Sequence, residues 1–161
     1  MSDIEPPRPG EIAVELPDRF DAGLYFIGTI RTPWKTRAEC PKNPREAGDA
    51  VCRIELDKRY APALDGIRPG ASIVVLYFMD RARRDLVVQV PRHSGEPSGT
   101  FSLRSPVRPN PIAVSVARII DISGTSISVT GLDCLDGTPL IDLKPYRPAV
   151  DAASTANENR R

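Results

Sequence analysis

Apolar positions fall into short blocks or alternate with polar ones along most of residues 24–132. LYFIGTI (24–30), VCRIEL (51–56), SIVVLYFM (72–79) and LVVQV (86–90) are rich in β-branched and aromatic residues, the composition that suits a pleated, half-buried surface. IAVSVARIIDI (112–122) and SISVTGL (126–132) follow, joined by the short hairpin-type connector SGT. The alanines of IAVSVARI would suit a helix, but its β-branched residues and the alternation of Ile112, Val114 and Val116 favour a strand. YAPAL (60–64) reads as a single helical turn kept short by its proline. Six or more strands separated by turn signals predict a mainly β fold, a small β-barrel or a sandwich.

The pattern also divides the chain. Residues 1–21 contain four prolines and little periodicity, which predicts an irregular arm. Residues 22–150 form the β domain, and the small, polar residues 151–161 read as a flexible tail. Two proline-rich segments stand out inside the domain: RSPVRPNPIAVS (104–115) and LDCLDGTPLIDLKPY (132–146). Proline fixes its own φ, and it pushes the preceding residue out of the helical region. Such segments are stiff loops with defined side-chain directions, and a stiff loop loses little entropy when a ligand arrives. Ordinary turns are the plainer alternative.

Composition narrows the functional classes. At 161 residues the chain fits one domain, and 40% hydrophobic with 27% charged residues is a globular balance. A formal net charge of +1 gives no general attraction to nucleic acid or membrane. Any such attraction must be local, as at RARR (81–84) or at Lys35, Arg37, Lys42 and Arg45, where solvated loops are the alternative. Cys40, Cys52 and Cys134 form no CxxC pair, which argues against a disulfide framework or a zinc knuckle and for reduced thiols in a cytoplasmic setting. No apolar stretch approaches the length of a membrane span, and the acidic, proline-containing start does not read as a signal peptide.

Neither GxGxxG nor GxxxxGK[ST] occurs, so a dinucleotide fold and a P-loop are unsupported. His93 is the single histidine, which excludes a multi-histidine metal centre. It can pair with a nearby serine as base and nucleophile, or simply hold local hydrogen bonds in its loop. Asp133, Asp136 and Asp142 carry the oxygens a hard cation needs, yet their spacing is not that of a calcium loop, and no metal is expected. Arg104 and Arg108 offer guanidinium forks for a carboxylate or phosphate, or for a salt bridge to the LDCLDG loop.

In order along the chain, YFIGTIRTPWK (25–35), PKNPRE (41–46), RSPVRPNPIAVS and LDCLDGTPLIDLKPY resemble the TsaA-like (YaeB-like) family, that of tRNA methyltransferase O. The resemblance covers about residues 24–146. It implies a small β-barrel methyltransferase that uses S-adenosylmethionine without a Rossmann domain. It also implies a homodimer with the methyl donor in a cleft beside the dimer interface. The implied acceptor is N6 of threonylcarbamoyladenosine next to the anticodon of certain tRNAs.

Carried over motif by motif, Pro41, Lys42 and Asn43 are similar to the family's loop over the cofactor. Met79 and Asp80 follow an aromatic-rich strand where the family contacts the donor. Arg104 matches its binding arginine, Val114 an apolar contact, and Leu132, Asp133, Cys134 and Leu135 the loop around adenine and ribose. Asp142, Lys144 and Tyr146 are the candidates for the acceptor side. Their structural alternative is an Asp142–Lys144 ion pair and a packed Tyr146. The chain ends soon after KPY, where the characterised tRNA enzyme continues into another domain. Two further readings therefore stand beside the tRNA enzyme: the same barrel and cofactor with a small-molecule acceptor, and a noncatalytic barrel that binds RNA or nucleotide.

Overall fold

A computed structural model describes residues 6–152. In chain order its strands are β1 (Ile12–Ala13), β2 (Gly28–Arg31), β3 (Cys52–Leu56), β4 (Ser72–Phe78), β5 (Leu86–Gln89), β6 (Ser98–Gly99), β7 (Ile112–Ser123), β8 (Ser126–Thr130) and β9 (Thr138–Pro145). Six of them close into an antiparallel barrel in the order β2-β3-β8-β7-β4-β9. The remaining three form a small side sheet, β1-β5-β6. A 3-10 turn over Lys58–Leu64 includes the predicted YAPAL turn.

Alternation sets the barrel's inside. On β4, Ile73, Val75 and Tyr77 point inward and are nearly or fully buried. Ile54 of β3, Ile127 and Val129 of β8 and Leu140 of β9 meet them there at 0% exposure. Burying each such side chain contributes about 1.5–3 kcal/mol, so this interior is the main source of stability. On β7 the inward positions are Ser115, Ala117 and Ile119, while Ile112, Val114, Val116 and Ile120 face outward at 41–46% exposure.

Two elements of the barrel differ from the sequence expectation. The strand expected over 24–30 is β2, which begins at Gly28 rather than at residue 24, and Leu24, Tyr25 and Phe26 are exposed. Gly28 marks the entry because a Cβ there would collide with the Glu55 carbonyl oxygen, so the chain passes β3 at a distance only glycine permits. The TPLIDLKP stretch, expected as loop, is strand β9. It pairs with β2 on one side and β4 on the other, with a register shift between Leu76 and Tyr77. Pro139 lies near its start and Pro145 is its last residue, places where a missing N–H costs the ladder little.

The side sheet anchors the proline-rich loop that precedes β7. Buried Thr100 donates to the Leu86 carbonyl at 2.8 Å. Buried Gln89 donates to Thr100 Oγ1 at 2.8 Å and to the Val107 carbonyl at 2.7 Å. The arm expected to be irregular contributes β1, and Arg8 clamps Glu11 there at 2.6 Å. Residues 1–5 of that arm and 153–161 of the expected tail lie outside the described residues. No helix among the described residues is long and apolar enough to cross a membrane.

Candidate functional site

Three loops and the end of β4 enclose a groove of about 1230 Å³ beside the barrel. The loops are the one after β2, the RSPVRPNP loop before β7, and the one from β8 to β9. The first and third are fastened to each other. Thr32 donates its N–H to Asp136 Oδ1 at 3.1 Å and its hydroxyl to the Cys134 carbonyl at 3.0 Å. Lys35 Nζ meets Asp136 Oδ2 at 2.7 Å, which holds that carboxyl below the usual carboxylate range. The PKNPRE turn is bonded to itself: Glu46 accepts from the Lys42 N–H and Asn43 Nδ2, and Asn43 Oδ1 accepts from the Arg45 and Glu46 amides. Among the described residues the Lys42 ammonium takes no part in this local network.

The RSPVRPNP loop is fixed from behind. Arg108 donates to the Thr100 and Leu103 carbonyls, and Arg84 donates to the Pro109 carbonyl and Asn110 Oδ1. Arg84 also lies over the Phe20 ring, and Arg83 pairs with Asp85. Within RARR, then, Arg83 and Arg84 have structural partners and exposed Arg81 lies on the groove. Exposed Arg104 donates to the Val114 carbonyl at 3.3 Å; no ion pair joins it or Arg108 to the LDCLDG loop among the described residues.

Most of the sequence-derived candidates come together on this groove. Pro41, Lys42, Asn43, Met79, Asp80, Arg104, Val114, Asp133, Cys134, Leu135 and Tyr146 all line it. Leu132 is fully buried in the core behind it. Asp142 and Lys144 do not line it; they pair with each other at 2.6 Å on β9. Exposed His93 lies outside the groove and shows no serine partner among the described residues. Asp133, Asp136 and Asp142 take separate partners, namely Tyr77, Lys35 and Lys144. Six basic side chains (Arg37, Lys42, Arg45, Arg81, Arg104 and Arg108) and three acidic ones (Asp80, Asp133 and Asp151) line the groove, a cationic excess in a nearly neutral chain.

The comparisons with known proteins agree with one another. A family model described as the tRNA-methyltransferase O N-terminal domain matches residues 29–152. The chain belongs to that family. It is 48% identical over 140 residues to a probable S-adenosyl-L-methionine-binding protein, VirR, of Rhizobium radiobacter, covering 87% of this chain and 79% of that one. It is 46% identical over 133 residues to a mouse tRNA (adenine(37)-N6)-methyltransferase, covering 78% of this chain but 31% of the mouse protein. The crystal structure of TrmO from Pseudomonas aeruginosa superimposes with a TM-score of 0.69 at 28% identity, over 87% of this chain and 62% of that one. The chain thus spans under two thirds of the solved relative and about a third of the mouse one.

In this member of the family the groove has a polar floor that the sequence reading missed. Tyr77, 2% exposed, places its hydroxyl 2.9 Å from Ser115 Oγ and 3.0 Å from Asp133 Oδ1. The two strand residues are diagonal neighbours, since Val75 stands opposite Ser115 and Tyr77 opposite Ala113. Asp133 reaches them because Gly131, at φ 92°, turns the chain off β8. A Cβ on Gly131 would also lie 3.0 Å from the Val116 carbonyl oxygen. Burial raises the Asp133 carboxyl above its ordinary range, opposed by the Tyr77 bond, its own amide and the charge of Arg104. A signal did exist: Ser115 is a polar residue in an otherwise apolar run.

Proposed function

We propose that this protein is an S-adenosylmethionine-dependent methyltransferase whose acceptor is N6 of threonylcarbamoyladenosine next to the anticodon of tRNA. The observation that carries the reading is the make-up of the groove: a half-buried carboxylate and an exposed arginine set among apolar walls, with a cationic rim. The residues suit the donor. Asp133 can accept from ribose hydroxyls, Arg104 can fork onto the amino-acid carboxylate, and Pro41, Leu135 and Val114 provide apolar surface for adenine and methylene groups. Drug-sized sites run to about 1,000 Å³, so a groove of about 1230 Å³ has room for part of an acceptor as well.

Bound there, the donor supplies an electrophilic methyl group. The chain must hold the acceptor nitrogen about 3 Å away and in line, and the departing N6 proton needs a base or water. Tyr146 lines the groove, which supports a role in packing against the acceptor base. Asp142 and Lys144 have the role of an ion pair bracing the strand end that carries Tyr146. Arg37, Lys42, Arg45 and Arg81 are the residues for RNA phosphates. The Rhizobium radiobacter relative, named a probable S-adenosyl-L-methionine-binding protein, supports the donor, and the mouse relative, named a tRNA (adenine(37)-N6)-methyltransferase, supports methylation at N6 of a tRNA adenine.

The outward-facing Ile112, Val114 and Val116, which line the groove, support a homodimer, because a second copy over β7 would cover this apolar surface. Three free cysteines fit the reducing cytoplasm, where such a substrate is found. Incubation of the full chain with methyl-labelled donor and tRNA bearing the modified adenosine, followed by nucleoside mass analysis, tests the reading. The expected product is that nucleoside with one added methyl group. Donor binding with unmodified tRNA would move the acceptor to a small molecule, and no donor binding would leave a noncatalytic barrel.

A further inference from the structure

The floor of the groove contains a directed chain of hydrogen bonds that the proposed reaction does not by itself require. An ionised carboxylate only accepts, so the single Tyr77 proton goes to Asp133 Oδ1 at 3.0 Å. The Tyr77 oxygen is then left to accept from Ser115, 2.9 Å away. All three groups line the groove, yet Tyr77 and Ser115 are 2% and 6% exposed and belong to the barrel wall. Among the described residues no other side chain donates to the Asp133 carboxylate, so Oδ2 is left for a ligand. We propose that Tyr77, oriented by Ser115, is the positioning residue that fixes the Asp133 carboxylate in the ligand-accepting state and so sets the pH above which the donor binds. The inference rests on the groove being the donor site.

The surroundings of Asp133 favour this control. Tyr77 faces it from β4, Arg104 from the loop before β7, Cys134 from its own loop, Cys52 from β3 and Cys40 from the loop after β2. The thiols stay protonated near neutrality: burial pushes Cys52 up to about 11 and Cys134 up to about 12, and Cys40 is also raised. Burial and the Asp133 charge push the Tyr77 hydroxyl upward too, so it remains a neutral donor. Asp133 is the group poised to change: burial raises its pKa, and the Tyr77 bond is the largest opposing influence. Protonated Asp133 keeps Oδ1 as the acceptor for Tyr77 and carries its proton on Oδ2, which removes the acceptor that ribose hydroxyls need. Donor affinity is therefore full above the Asp133 pKa and lost as pH falls through it. Removing the tyrosine hydroxyl shifts that acid limb to higher pH.

The test is calorimetric titration of the full chain with S-adenosylhomocysteine across pH, on wild type, Tyr77→Phe and Asp133→Asn. Carboxyl-carbon NMR of Asp133 in the ligand-free protein accompanies it. Tyr77→Phe should weaken binding by roughly tenfold near neutral pH, the size of one hydrogen bond to a charged group. It should also move both the acid limb and the Asp133 titration upward, and Asp133→Asn should abolish the limb. A Tyr77→Phe protein that folds with unchanged affinity, limb and Asp133 titration overturns the inference. If Tyr77→Phe does not fold, Ser115→Ala must give a smaller shift in the same direction, and no shift overturns it. Wild type that binds no donor overturns the methyltransferase reading instead, while the NMR titration still decides whether Tyr77 governs Asp133.

Discussion

Replacing Arg104 with alanine separates binding from folding more cleanly than any other change in the groove. Its guanidinium carries five N–H donors and uses one, in a 3.3 Å bond to the Val114 carbonyl at an exposed position. Loss of that bond should cost about 0.5 kcal/mol of stability or less, as for surface substitutions generally. If the remaining donors hold the ligand carboxylate, their loss costs about 1.5–3 kcal/mol, or roughly 10- to 150-fold in Kd. Arg104→Lys keeps the charge but not the planar fork and should fall between the two. The assay is calorimetry with S-adenosylmethionine, paired with thermal melts of each ligand-free variant. A Kd for the alanine variant within twofold of wild type, with an unchanged melt, would refute the assignment.

The other expectations are simpler. Val116→Glu places a charge in the outward stripe of β7 and should convert a dimer to monomer in light scattering, with a ligand-free barrel still folded. Gly28→Ala drives a Cβ into the Glu55 carbonyl and should destabilise by about 1–3 kcal/mol, as overpacking does, read as a lower denaturant midpoint. Glu11, clamped by Arg8, has its carboxyl lowered from 4.5 to about 2. Its stabilisation is thus complete above about pH 4.5 and lost as pH falls towards 2. Glu11→Gln should melt lower than wild type at neutral pH, and that gap should close over the same window.

Where the sequence spoke plainly, a single physical rule was at work. β8 alternates polar and apolar residues and is a strand with those faces out and in, and the β-branched, aromatic run of β4 is a strand as its composition predicts. β7 shows where alternation stops being enough. Its apolar phase, Ile112, Val114 and Val116, faces outward, while Ser115 and Ala117 point into the barrel. The interior there is occupied by Tyr77, and small residues opposite leave room for its ring and hydroxyl. β9 was hidden for another reason. Its prolines and charges read as a loop, and barrel closure, which supplies a partner on each side, makes it a strand. The proline-stiffened motifs located most of the groove, because loops with fixed backbones carry their neighbours to fixed places. Tyr77 escaped notice because an aromatic inside an apolar strand run looks the same whether it packs or positions. Asp142 and Lys144 lie two residues apart with opposite charges, and only the fold shows them paired on β9 and off the groove lining.

The most direct test of the account is a crystal structure of the full chain grown with S-adenosylhomocysteine. The ligand should lie between the PKNPRE turn and the Leu132–Leu135 loop, its ribose hydroxyls on Asp133 and its carboxylate within reach of Arg104. A ligand bound elsewhere, or a groove closed by packed side chains at saturating ligand, would contradict it.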